Sequence, residues 1–234
     1  MDKVIRINGL GSVSEGNYDD IDVSGSCSFN GKVSSKKIIV DGTVSSKEEI
    51  VSDYLEVNGY LSNKGNYNIK KGIINGYIKN KGDIGGEDLI INGSLFSRSM
   101  EFNDVKVNGK LVIINNCQSE NFYCNGKLNI GGLLSSDKIE ILIKYYSRVK
   151  QIGGDTLVVK KEDNKFSGKM LFFRKYYLEV EEIEADNIYL EYTKCEVVRG
   201  RNITIGKGCN IKRIEYLDEV LIDSNSKVKE KIKG

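Results

Sequence analysis

A short motif, apolar-x-apolar-Asn-Gly or a close variant, recurs through the first half of the chain at a nearly constant interval. It begins as Ile5-Arg6-Ile7-Asn8-Gly9. It returns with its glycine at Gly25, Gly42, Gly59, Gly76, Gly93, Gly109 and Gly126, at intervals of 16, 17, 17, 17, 17, 16 and 17 residues. A fixed period of this length is the mark of a chain built from stacked repeating units. The phase is as regular as the period. Two residues before each glycine stand Ile7, Val23, Val40, Val57, Ile74, Ile91, Val107 and Cys124. Four before it the slot is apolar in all repeats except one, where Gly72 stands. Further apolar slots follow two residues and about eight residues after the glycine, the latter running Val33, Ile50, Tyr67, Ile84, Met100, Cys117 and Leu134.

Alternation of period two places such residues on one face of a short strand. The Asn-Gly pair between strands predicts a corner, because both residues tolerate positive φ. A unit of 17 residues cannot bury its own inner face, but copies stacked in parallel register ~4.8 Å apart can. The expected fold is therefore all-β, a β-solenoid with rungs of about 17 residues. By analogy with other coils of this length it is read as a right-handed parallel β-helix. Ile139, Ile141, Leu157 and Val159 continue the pattern, and Leu178, Val180, Ile188, Leu190, Ile203, Ile205, Val220 and Ile222 resume it. Between them lies a segment without alternation. The predicted organisation is solenoid rungs over residues 1–159, an inserted loop over 160–177, and renewed solenoid over 178–234 ending in a frayed, charged tail.

Three absences narrow the chemistry. The chain of 234 residues contains no His, which removes Ser-His-Asp and Cys-His nucleophile systems and any zinc site that needs imidazole. It contains no Pro, which suits strand pairing along most of its length. It contains no Walker-type phosphate loop. A net charge of +2 argues against a nucleic-acid binder that relies on a strong positive field. No apolar run is long enough for a transmembrane helix, and no secretory signal is recognisable at the start. The five Cys lack paired spacing and read as reduced thiols. Cys27, Cys117 and Cys124 fall on inward slots, where a thiol acts as a small hydrophobe.

Corners every 16–18 residues in a core free of Pro and His, together with the stretch from Asp186 to Val228, resemble the bactofilins. These are polymer-forming bacterial cytoskeletal proteins built on a right-handed β-helix. The resemblance implies nucleotide-independent self-assembly by end-to-end stacking, a cytoplasmic place that includes the periphery of the inner membrane, and no enzymatic activity, cofactor or small-molecule substrate. It implies the protein itself as partner, with a membrane surface or an envelope-associated protein as further partners. The chain departs from the family pattern in its longer array and its insertion.

The residues themselves suggest several candidate surfaces. Val4, Ile5 and Ile7 at one end and Val220 and Ile222 at the other are candidates for end stacking. The insertion holds six basic and two acidic residues with a run of aromatic and apolar ones. Its Phe166, Met170, Leu171, Phe172, Phe173, Arg174 and Lys175 form a candidate membrane or partner loop; packing of Leu171 and Phe173 against the solenoid is the other reading. Tyr60 and Tyr77 are expected to stack on an outer face, where Ile73 and Ile90 are also neighbours; this either stabilises the sheet or makes lateral contacts. The acidic pairs Asp19-Asp20, Glu48-Glu49 and Glu181-Glu182, with Asp22, raise carbohydrate cleavage as a remote alternative. No catalytic, cofactor or metal residues are assigned.

Overall fold

The computed structural model describes residues 3–161 and 176–234, and among these every regular element is a β-strand. The chain divides into two compact units, Met1–Asn115 and Asn116–Gly234. Both are β-solenoids.

The first unit comprises β1 (Val4–Ile7), β2 (Leu10–Val23), β3 (Ser26–Val40), β4 (Thr43–Ser46), β5 (Ile50–Val57), β6 (Tyr60–Asn63) and β7 (Tyr67–Ile74). It continues through β8 (Tyr77–Asn80), β9 (Ile84–Ile91), β10 (Ser94–Ser97), β11 (Met100–Val107) and β12 (Lys110–Ile113). All its pairings are parallel, each strand meeting the strand one repeat on, as in Ile38↔Leu55 and Leu61↔Ile78. The repeated slots become vertical columns. Val23, Val40, Val57, Ile74, Ile91 and Val107 are at most 1% exposed. Gly72 breaks a neighbouring column, and the Leu89 side chain of the next rung occupies the space a side chain there would need.

The corner has a different cause from the one its sequence suggests. Among the described residues positive φ occurs at Gly16, Gly31, Gly86, Gly208 and Tyr192, and at none of the corner glycines. The corner demands glycine because rungs approach too closely there for any side chain. A Cβ on Gly25, Gly42, Gly59, Gly76, Gly93 or Gly109 would enter the carbonyl oxygen of the corner glycine one rung earlier. That oxygen is already engaged, as where Thr43 N–H donates to Gly25 O at 2.8 Å. Beside the glycines the amides form a ladder. Asn58 donates to Asp41, Asn75 to Asn58, Asn92 to Asn75 and Asn108 to Asn92, each at 2.8 Å.

The second unit comprises β13 (Cys117–Cys124), β14 (Lys127–Ile143), β15 (Ser147–Lys161), β16 (Leu178–Leu190), β17 (Thr193–Ile205), β18 (Asn210–Ile222) and β19 (Lys227–Lys233), again paired in parallel. β15 pairs directly with β16, Ser147 opposite Leu178, so the ladder continues across the insertion. Strand structure reaches Lys161 and restarts at Leu178, which trims the expected loop at its first end. The expected frayed tail is instead β19, registered on β18 from Asn210↔Lys227 to Tyr216↔Lys233.

Polar residues inside the first unit were not anticipated from the repeat. Ser46, Asn63, Asn80 and Ser97 stack in one buried column, where the side chains close the bend that follows. Asn80 accepts from Gly82 N–H at 3.2 Å and donates to Gly82 O at 2.9 Å and to Ser97 Oγ at 3.0 Å. These groups are satisfied within the stack, which is what permits their burial.

Candidate functional site

The end-stacking candidates all lie on ladder edges. β1 pairs with β2, placing Ile5 opposite Ile21 and Ile7 opposite Val23, both partners fully buried. Ile5 and Ile7 occupy the same inward columns yet remain half-exposed. Val220 and Ile222 continue the columns of Ile203 and Ile205 and are likewise half-exposed. β19 covers β18 only as far as Tyr216, so among the described residues no strand lies on the outgoing side of Glu219–Ile222. Of the large exposed hydrophobic side chains, Val4 and Leu10 in the first unit and Leu217, Leu221 and Ile232 in the second lie on the same coils, while Tyr60, Tyr77, Ile114, Tyr145 and Tyr146 lie elsewhere.

Both edges carry charges of both signs, with Lys3 and Arg6 on the first coil and Asp218, Glu219 and Asp223 beside β19 on the last. On the first coil Lys3 N–H donates to Asp19 Oδ2 at 2.8 Å, and Lys3 Nζ lies 3.9 Å from the centroid of the Tyr18 ring. The same coil carries Glu15, Asp19, Asp20 and Asp22. β19 carries Lys227, Lys229, Lys231 and Lys233 against Glu230. Lys231 stands in register with Ile214, in the column of Ile152, Ile183 and Val198, all of them buried. A charged residue at that inward position is invisible to a reading of composition and appears only once register is known.

The seven loop candidates from Phe166 to Lys175 fall outside the described residues. The base from which that segment leaves and returns is well defined. Lys161 N–H donates to Glu191 Oε2 at 3.0 Å, and Lys161 Nζ sits 4.6 Å from the centre of the Tyr192 ring. Tyr146 meets Tyr177 edge-on at 5.0 Å, and its hydroxyl donates to Glu179 Oε2 at 2.6 Å. Tyr192 has φ 44°, costly for a bulky side chain. Its N–H donates to Lys207 O and its carbonyl accepts from Leu178 N–H, so this one residue ties three successive rungs. Gly208 leaves room for its ring, since a Cβ there would lie 2.7 Å from Tyr192 Cδ1.

Tyr60 and Tyr77 do stack, with ring centroids 5.6 Å apart and planes 14° from parallel. The acidic pairs do not converge on a reaction centre. Asp19 bridges to Lys36 at 2.6 Å, Glu49 to Lys32 at 2.5 Å, and Glu182 binds Arg199. Glu182 lies beside a surface groove of about 930 Å³ in the second unit, over Gly154, Ala185 and Gly200. There Gln151 donates to Glu182 at 3.0 Å, and Arg199 bridges Glu182 to Glu215, the latter at 2.7 Å. The Arg199 guanidinium and the Gln151 amide hold the Glu182 carboxyl below its ordinary range. That stabilises its charged form and makes it a poor proton donor at neutral pH. Among the described residues no group of three or more acidic or Cys side chains is arranged to hold a metal ion. All five thiols are free and buried. Burial pushes Cys209 up to about 11 and Cys124 and Cys195 up to about 12.

No protein-family model matches the chain, and no solved structure matches it. A curated relative, the uncharacterized protein YhbF of Bacillus subtilis (strain 168), is 42% identical over 103 residues. The match covers 44% of this chain and 42% of the relative, so the chain spans less than half of that protein's length.

Proposed function

We propose that the protein is a non-enzymatic scaffold that assembles with copies of itself through the ladder edges of its coils, without nucleotide or metal. The observation that carries this reading is the exposure of Val4, Leu10, Leu217, Leu221 and Ile232 on coils whose outer edges no strand among the described residues covers. An uncovered parallel edge offers backbone donors and acceptors to another strand, and inward side chains such as Ile5 and Val220 gain burial when one is added. The resemblance to bactofilins supports the same reading and extends it to a cytoplasmic cytoskeletal role. Among the described residues no helix is long and apolar enough to cross a membrane.

Purified protein without nucleotide tests this by sedimentation and negative-stain microscopy over a range of concentration. Growth of assembled species with concentration is the expected result. A monomer throughout rejects self-assembly. It would favour an adaptor that binds a protein partner or a membrane surface, for which the exposed Tyr60–Tyr77 stack is the first place to look.

A further inference from the structure

We infer that Asn30 is a site of spontaneous covalent modification, where the side chain loses ammonia and the residue becomes aspartate or isoaspartate, and that the fold shields the corner Asn-Gly pairs from the same reaction. The chain holds seven Asn-Gly pairs, at Asn8, Asn30, Asn58, Asn75, Asn92, Asn108 and Asn125. Asparagine before glycine is the most reactive such pair, because glycine has no side chain to hinder its nitrogen. That nitrogen attacks Cγ of the preceding Asn. The N–Cγ bond forms, the Cγ–Nδ2 bond breaks, and the proton of the glycine N–H leaves with the amide as ammonia. Water then opens the cyclic imide at either carbonyl. One opening gives aspartate; the other gives isoaspartate, whose main chain runs through Cβ and Cγ.

Four of the pairs are held out of that geometry at both reacting groups. The attacking nitrogens are engaged: Gly59 N–H donates to Val40 O at 2.9 Å, Gly76 to Val57 O and Gly93 to Ile74 O at 2.8 Å, and Gly109 to Ile91 O at 3.0 Å. The amides they would attack are engaged as well, since Asn58, Asn75, Asn92 and Asn108 each donate along the outer ladder at 2.8 Å. Both bonds must break before the nitrogen reaches Cγ, so reaction at these corners waits on local opening of the rungs.

Asn30 stands elsewhere in the rung. It is exposed and outside the ladder, and among the described residues no hydrogen bond holds its side chain. Register slips at this point: Asn30 pairs with Ser14 and Val33 with Gly16, so Gly31 and Lys32 face Glu15 alone in a β-bulge. On the other side, pairing with β4 stops at Phe29 and pairing with β5 resumes at Val33. Gly31 has φ 105°, a conformation that glycine alone adopts readily. The bulge also tolerates the product. Isoaspartate lengthens the main chain, which at a corner would break register with the rungs on both sides, whereas here β3 already carries one residue more than its partner. The product adds a negative charge beside Glu15, whose Oε2 lies 2.9 Å from the place of a Cβ on Gly31.

Peptide mapping of the full chain tests this. One sample is held folded in mildly alkaline buffer and a second unfolded in guanidinium chloride. Mass spectrometry follows the mass gain of deamidation at each pair, with fragment ions separating Asn30 from Asn8. In the folded protein Asn30 is expected to react at least ~10-fold faster than Asn58, Asn75, Asn92 or Asn108, because those wait on local opening. In the unfolded sample the rates should converge. An Asn30 that reacts no faster than the ladder residues in the folded protein would overturn the inference. So would a lead that persists unchanged in denaturant, which would make it a property of local sequence rather than of the fold. Ion exchange isolates the more acidic product, and its melting temperature is expected to match that of the unmodified protein; a product that no longer folds would overturn the tolerance assigned to the bulge.

Discussion

The tightest constraint in this chain acts on single atoms. A corner glycine is kept by the carbonyl oxygen of the rung before it, so the requirement begins only where an earlier rung exists. A Cβ on Gly9 would meet nothing within 4 Å, whereas one on Gly76 would run into Gly59 O. Gly9→Ala is expected to shift the melting temperature by no more than about 2 °C, consistent with surface changes of ~0.5 kcal/mol. Gly76→Ala is expected to cost at least ~3 kcal/mol, because backbone must move. Thermal melts of the two variants check this, and equal effects would refute close approach as the cause. In the core, Val57 is 0% exposed. Val57→Asp places a charge between rungs with no partner, and the variant is expected to lose cooperative unfolding altogether. The buried thiols should resist a thiol reagent in the folded protein and all react once it is denatured.

At the scale of the element, two polar columns do different work. The outer amide ladder is exposed, and Asn75→Ala removes a bond on each side of it. Exposed bonds exchange readily with water, so the expected loss is ~1 kcal/mol. Asn80 is buried, and removing it strands the Gly82 N–H and takes a donor from Ser97 Oγ, which keeps its own bond to Gly82 O. Asn80→Ala should therefore cost more, about 2–4 kcal/mol, and denaturant titration of both variants gives the ranking. The apolar columns were legible in the sequence because period two and period 17 are both carried by side chains. Parallel pairing of β16, β17 and β18 was legible too, since Ile188, Ile203 and Val220 keep the alternation. What escaped was anything that depends on register. Alternation sets Asn63 and Asn80 on the inward face of Leu61 and Ile78, but a search for apolar slots passes over them, and it treats KVKEKIK as a solvated tail because only Val228 and Ile232 are apolar. That β19 pairs in full, with Lys231 over Ile214, follows from backbone hydrogen bonding on β18 rather than from hydrophobicity. The strained Tyr192 left no trace either, since its cause is the meeting of three rungs.

For the whole molecule, the titrating groups predict how stability depends on pH. Asp19, Asp83, Glu179 and Glu182 are held below their ordinary values, chiefly by hydrogen bonds from Lys36, Arg98, Tyr146 and Arg199 respectively. An unfolded chain takes up protons at these groups near pH ~4 before the folded one does, so their contribution holds above that value and is lost as pH falls through the lower folded values. The thiols act in the opposite direction. Their folded values lie near 11 to 12 for Cys209, Cys124 and Cys195, against ~8.5 unfolded, so stability declines as pH rises from ~8.5 toward those values. With no His to titrate between, the melting temperature should be flat from about pH 5 to 8 and fall on both sides. A maximum confined to one narrow pH within that window would contradict the assignment.

Hydrogen exchange measured at low and high protein concentration tests the claim of assembly through coil edges most directly. Amides in Val4–Ile7, in Leu10–Ser14 and in Glu219–Ile222 should gain protection as concentration rises, while those of the central rungs, already paired on both sides, stay unchanged. Protection that does not depend on concentration at these edges, or that appears instead around Tyr60 and Tyr77, would contradict it.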